Sequence, residues 1–332
     1  MNLQSRRAVL RTAGHCVALW ATASPLVSTA RSAADPVKIL CGYPPGSPPD
    51  LVARKVAERM AGSYARSVIV ENKTGAAGRL AVDALKASAA DGGVMLLTPA
   101  SVMTMYPHTY ANLSYNPFTD LEPVSMGADF SHALAVGPLV PASVRTVRDF
   151  IAWCRSNPLS ATCGNPGAGS LPHFIAVLLE REGSVQIKHV PYRGTGPAVL
   201  DMLGGQIAAA IGPEGNFLPL VKDGRVRVIA LTDSTRSRFL PEVPTFSEQG
   251  FKSIQLREWF GFFMPAATPR TLVADAAAAI SRAIAQPDLV ESFALIGMTA
   301  VSDSPADLTR KLRSEYEYWG PVIKSTGFTA DS

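Results

Sequence analysis
Short apolar runs alternate along this chain with stretches of helical spacing, and that alternation limits the folds open to it. The runs are Val37–Cys41, Val68–Glu71, Val94–Thr98, Ala133–Gly137, Ile187–Val190, Ile207–Ile211, Val226–Leu231 and Phe260–Met264. Each is too short for a stable helix, and most are apolar throughout, as strands covered on both faces are. The helix signals between them are local. Ser47-Pro48-Pro49-Asp50 offers a serine cap, a proline at the first helical position and an acid three residues after the cap. Leu51, Val52, Val56 and Met60 then mark one face, and Gly62 ends it. Further helices are expected from about Arg79 to Ala89, after Gly169-Ser170-Leu171-Pro172 as far as Gly183, and from Pro197 to Gly204. Two more open at Thr268-Pro269 and at Ser304-Pro305-Ala306-Asp307. Strand–helix alternation predicts an α/β protein with mostly parallel sheets, whose ligands sit where strands lead into helices.

The chain has 332 residues, enough for two domains of ordinary size. With 47% hydrophobic and 17% charged residues it can bury a core, which excludes global disorder. The net charge of +4 first suggests a nucleic-acid or membrane-surface partner. The excess, however, sits at the amino terminus. Ser5-Arg6-Arg7 is followed by an uncharged, Ala- and Leu-rich stretch from Thr12 to Ala30, and then by small residues up to Ala34. That is the pattern of a secretory signal, 1–34, with paired arginines of the twin-arginine kind. Cleavage after Ala34 would remove Arg6, Arg7, Arg11 and Arg31 and no acid, leaving a formally neutral chain. The argument for nucleic acid then disappears. In an oxidising compartment Cys154 and Cys163 could pair, or stay as buried thiols with Cys41.

Four loops share one character: Tyr43–Asp50, Asn72–Gly78, Gly164–Ser170 and Pro191–Pro197. A shorter one, Thr98–Ser101, also follows a strand. Each combines glycine or a small hydroxyl or amide side chain with a helix start, where free N–H groups favour an anion. Plain turn chemistry would use the same residues. Enzyme signatures are missing: there is no GxSxG elbow and no GxxxxGK loop, and Gly167-Ala168-Gly169 lacks the third glycine of a dinucleotide fingerprint. His108, His132, His173 and His189 are scattered, and no Cys/His cluster suggests a metal. No cofactor is expected, and no enzyme.

Taken together and in this order, several segments resemble the extracytoplasmic solute receptors of tripartite tricarboxylate transporters, the Bug family. They are YPPGSPPDLVARKVAERM from Tyr43, VENKTGAAGRLAVDAL from Val70, GNPGAGSLPHF from Gly164, HVPYRGTGPAVLDMLGGQI from His189, TRSRFLPEVPT from Thr235 and EWFGFFMPAATP from Glu258. The resemblance implies a two-lobed, periplasmic-binding-protein-like (type II) fold with the ligand cleft between lobes. One lobe would be 35–135 plus 250–332 and the other 136–249. It implies a periplasmic monomer that captures a small carboxylate, a di- or tricarboxylate or related organic acid, for membrane permease subunits or for a sensor. Its carboxylate site would lie in the loops Tyr43–Asp50 and Gly164–His173. The ligand-binding candidates are therefore Tyr43, Pro45, Gly46, Ser47, Pro48, Asp50, Ser101, Asn165, Gly167, Ala168, Gly169, Ser170, His173, Thr195 and Glu214. The chain departs from the family pattern at Ser47-Pro48-Pro49, where prolines remove N–H donors, and at Glu214, an acid that would repel a second carboxylate or welcome an amine.

Overall fold
A computed structural model describes residues 36–330, so the signal segment lies outside the described residues. In chain order the first half runs β1 (Val37–Cys41), α1 (Pro48–Met60), β2 (Val68–Asn72), α2 (Arg79–Lys86), β3 (Val94–Pro99), α3 (Ala100–Thr104), α4 (Tyr106–Thr109), β4 (Leu121–Phe130), β5 (His132–Val136), α5 (Val147–Ser156) and β6 (Thr162–Asn165). There follow α6 (Leu171–Gly183), β7 (Lys188–Pro191), α7 (Thr195–Leu203), β8 (Ala209–Pro213), α8 (Leu218–Lys222), β9 (Arg227–Leu231), β10 (Glu258–Pro265), α9 (Arg270–Ile284), α10 (Pro287–Ala294), β11 (Thr299–Ala300) and α11 (Pro305–Thr326).

The strands form two sheets, one of order β11-β4-β10-β3-β1-β2 and one of order β7-β6-β8-β5-β9. Each sheet is packed on both faces, and the side chains alternate between the two cores as the pleat requires. On β10, Phe260, Phe262 and Met264 join the core under α1 and α9, whereas Trp259 and Phe263 join the core beneath α2, α3 and α11. On β5, Leu134 and Val136 face Phe150 and Phe174 of α5 and α6, whereas Ala133 and Ala135 face Ala198 and Met202 of α7. The small residues on that second face let α7 approach closely.

Both sheets are mixed, which corrects the expectation of mostly parallel pairing. β1 pairs with β2 and β3, and β6 with β7 and β8, in parallel. β10 is antiparallel to β3 and β4, and β5 is antiparallel to β8 and β9. The cause is the route of the chain. A parallel neighbour needs a crossover within its own sheet. β4 has none: after Phe130 only Ser131 intervenes before β5 begins in the other sheet. β10 returns from that sheet and lies against β4 in the opposite direction, with Glu258 opposite Phe130.

The crossing is tied by charge. Arg257 donates to both Asp129 and Asp233, one on each side of it. The last helix does not stay with one sheet. Leu308 and Leu312 pack under the first, and Trp319 and Ile323 under the second. Phe246, Phe251, Ile254 and Leu256 also pack in the second sheet's core. Cys41, Cys154 and Cys163 are buried free thiols, and burial pushes Cys154 up to about 12, far from the reactive thiolate.

Candidate functional site
The loops singled out in the sequence meet in one cleft between the two sheets. Its outer part is a cavity of about 450 Å³ walled by the Tyr43 loop, the Gly75–Arg79 turn and the loops following β6 and β7. An inner chamber of about 40 Å³ opens on the first turns of α1, α3, α6 and α7, and shares Tyr43, Pro166 and Gly194 with the outer cavity. The loops touch across the cleft: Tyr110 Oη donates to Ala168 O at 2.8 Å. Charge differs between the two parts. Arg79 and Arg193 line the outer cavity without an acid, whereas Glu258 lines the chamber.

Two loops are held by the same set of bonds. Ser47 Oγ donates to Pro44 O at 2.6 Å, and Ser170 Oγ donates to Gly167 O at 2.6 Å. The amide of Gly46 donates to Asp50 Oδ2 at 2.8 Å, and that of Gly169 to His173 Nδ1 at 3.0 Å. Both glycines are left-handed, with φ of +78° and +77°, so a side chain at either would be strained. A proline enters each helix in its first turn.

These bonds correct the expected role of Ser47. Its side chain makes no cap bond, because its hydroxyl turns back to Pro44. Ser170 does cap its helix, accepting from the His173 amide at 3.4 Å. Burial alone would raise the Asp50 carboxyl, but hydrogen bonds from Arg54, Asn72 and the Gly46 amide outweigh it and hold it below the usual carboxylate range. His173 is pulled down to about 4 by burial and by neighbouring His189, whose ring centroid is 4.8 Å away. His173 is therefore a neutral acceptor at ordinary pH. Both residues brace a loop rather than line the cleft.

The remaining candidates separate cleanly. Tyr43, Ser47, Pro48, Ser101, Ser170 and Thr195 line the chamber, and Gly167 and Ala168 line the outer cavity. Burial pushes the Tyr43 phenol up, so it stays a neutral hydroxyl. Pro45 and Gly46 are exposed. Asn165 is buried behind the loop and accepts from the Gly167 amide at 3.1 Å. Glu214 lies elsewhere: it lines a different cavity, of about 230 Å³, beside Arg257 and Asp233. There it accepts from Ser131 Oγ at 2.8 Å, bracing the crossing between the sheets. Burial raises its carboxyl above the usual range.

Two chamber residues escaped the sequence reading. His132 opens β5 and Glu258 opens β10; their side chains meet at 2.7 Å, although 126 residues separate them. Each is a polar residue at the start of an apolar strand, and only that position hints at a site. Among the described residues there is no cluster suited to a metal ion, and no helix is long and apolar enough to cross a membrane.

A two-sheet α/β frame with a cleft between the sheets is the architecture of periplasmic solute-binding proteins. A family profile described as "Tripartite tricarboxylate transporter family receptor" matches residues 52–328. Protein BugT of Bordetella pertussis is 31% identical over 328 residues, covering 98% of this chain and 99% of that one. Among solved structures, a Rhodopseudomonas palustris protein with adipate aligns with a TM-score of 0.84 and 26% identity, over 90% of this chain and 99% of that one. MatC from Rhodopseudomonas palustris with bound malate aligns with a TM-score of 0.81 and 27% identity, over 87% and 99%. The chain belongs to the tripartite tricarboxylate transporter receptor family.

Proposed function
We propose that this protein is a periplasmic receptor that captures a small carboxylate in the cleft between two lobes and presents it to a membrane permease. The observation that carries this reading is the convergence of the loops. The first turns of α1, α6 and α7 open on one chamber, and helix amino termini favour anions through unpaired N–H groups and the helix dipole. Pro48, Pro49, Pro172 and Pro197 lack N–H groups, and His173 N is engaged by Ser170. The first-turn amides left for a ligand include those of Leu171, Thr195 and Gly196. Arg79 and Arg193 add positive potential at the mouth. The relatives bound to malate and adipate support the ligand class.

Each lobe is centred on one sheet, and the chain crosses between them at Ser131 and Arg257. A ligand touching both lobes favours the closed arrangement by its differential contacts alone. In this reading the second lobe takes in residues to Leu256 and the end of α11, which pack with the second sheet, beside the expected 136–249. The reading predicts stoichiometric binding without turnover. Thermal unfolding across a panel of mono-, di- and tricarboxylates tests it. A binding acid at a hundred times its Kd stabilises the fold by about 2.7 kcal/mol. A neutral sugar that raises the melting temperature while every acid leaves it unchanged would sink the proposal.

A further inference from the structure
The mouth of the cleft holds two arginines, one from each side. Arg79 opens α2 beside the first sheet, and Arg193 follows β7 of the second. Both line the outer cavity of about 450 Å³, and no acid lines it with them. Neither arginine has an ion pair among the described residues. Arg193 is exposed and makes no side-chain bond there. Arg79 is held in place without being neutralised. Its guanidinium lies over the Tyr110 ring, 3.9 Å from the centroid, and its Nε donates to Ala76 O at 3.0 Å. The two terminal nitrogens, with which arginine grips an anion, have no partner among the described residues. The position itself disfavours a cation, since Arg79 is the first residue of α2, at the positive end of the helix dipole. The turn that delivers it is strained: Gly75, Ala76, Ala77 and Gly78 all have positive φ, which alanine rarely adopts. Tyr106 Oη pins that turn, donating to Ala77 O at 3.0 Å. Packing and strain thus maintain an unpaired cation at the rim of the cleft.

We propose that Arg79 and Arg193 form an electrostatic gate: the mouth closes readily over a ligand whose outer end carries a second anionic group, and resists closing over one whose outer end is neutral. This rests on the carboxylate reading above and deepens it by assigning the residues that read the far end of the ligand. Closing the cleft carries both arginines towards one cavity. With nothing between them their like charges oppose closure, and an anion held between them turns that repulsion into attraction. The two sides already meet at this point. A Cβ at Gly167 would lie 3.1 Å from the Ala77 Cβ, and Tyr110, whose ring carries Arg79, donates to Ala168 O across the cleft. A charge bound at Arg79 therefore acts on the contact that closure makes. The division of space agrees. The chamber of about 40 Å³ admits one compact group, the first carboxylate at the helix starts, and the outer cavity holds the body of the ligand and its far end.

The test is calorimetric titration of the protein with succinate, adipate and suberate, each against its monomethyl ester, which keeps the length and removes the second charge. At the best-fitting length the diacid should bind roughly fivefold or more tightly than its ester, the worth of a charged hydrogen bond at a half-buried site. That margin should shrink as salt is raised, because the gate stands where ions reach it. In Arg79→Gln and in Arg193→Gln the two affinities should converge, the diacid weakening and the ester tightening. Arg193 makes no side-chain bond among the described residues, so its variant tests the gate even if Arg79→Gln fails to fold. An ester bound as tightly as its diacid by the unmodified protein overturns the gate and leaves the carboxylate receptor standing, and so does a margin that neither substitution changes. Binding by no acid at all overturns the carboxylate reading and the gate with it.

Discussion

The turn Pro44–Asp50 beside the first sheet and the turn Gly167–His173 beside the second share two side-chain bonds. In each, a serine donates three residues back, and a left-handed glycine donates its amide four residues ahead into the helix. They differ in the group that receives the glycine amide. Asp50 is a carboxylate kept charged by Arg54 and Asn72, whereas His173 is a neutral ring packed against Phe328 at a centroid distance of 4.6 Å. The geometry of a strand-to-helix loop thus depends on an acceptor at a fixed spacing, and the acceptor's chemistry depends on its surroundings. A charged brace requires partners for its charge, and a neutral one requires only burial.

The comparison breaks most visibly at Asp50. Replacing it by alanine takes one acceptor from the Asn72 amide, which keeps Tyr43 O, and the acceptor of the Gly46 N–H, and frees Arg54; chemical denaturation should show a loss of roughly 2–3 kcal/mol. An isosteric Asp50→Asn that costs nearly as much would show that the charge, not the shape, holds the loop. An unchanged stability for Asp50→Ala would refute the brace.

Acid should release the two braces in different windows. In the unfolded chain His173 takes up its proton near 6.5, and in the fold near 4. Between those values the unfolded chain binds more protons, so stability is full above about pH 6.5 and declines towards pH 4, by roughly 3 kcal/mol from this group. Asp50 is also depressed in the fold, so its contribution is present above the ordinary carboxylate value and is lost only below it, as pH falls through its folded pKa. His173→Gln should flatten the stability profile between pH 6.5 and pH 4 and leave the more acidic limb in place. A profile unaltered by that substitution would mean that His173 is not the group that titrates.

The smallest effect concerns the serines. Ser170 caps its helix and Ser47 does not. Ser170→Ala should therefore cost about 1 kcal/mol and Ser47→Ala about half that. Equal losses would show that the hydrogen bond to the carbonyl three residues back, which both share, is what matters.

Much of this molecule was legible residue by residue. The runs read as strands fall on β1, β2, β3, β5, β7, β8, β9 and β10, and the helix starts at Pro48, Leu171 and Pro305 follow their Ser-Pro and Gly-Ser signals closely. β4, β6 and the two-residue β11 fall on no predicted run. β4 contains Pro123 and Gly127 and shifts register twice against β10, and β6 reads Thr-Cys-Gly-Asn, a strand only because neighbours on both sides bury it. α5 is not among the predicted helices, although Thr146 and Asp149 form a full capping box, a signal open to local reading. The glycine and hydroxyl residues of the loops predicted walls that meet in one cleft. They could not separate Ser170, which lines the chamber, from His173, which holds it in place.

The sequence by itself determined what is decided within a few residues: periodicity, helix starts, the left-handed glycines and the family likeness of the loops. Only the tertiary structure decided strand direction and the floor of the cleft. Strand direction depends on where the chain crosses between sheets, which no local pattern records. The chamber floor is a contact between His132 and Glu258 across 126 residues, made because both crossings lie side by side. The resemblance implied an acid near the cleft at Glu214, whereas the acid that lines the chamber, Glu258, is placed there by the pairing of β10 with β4.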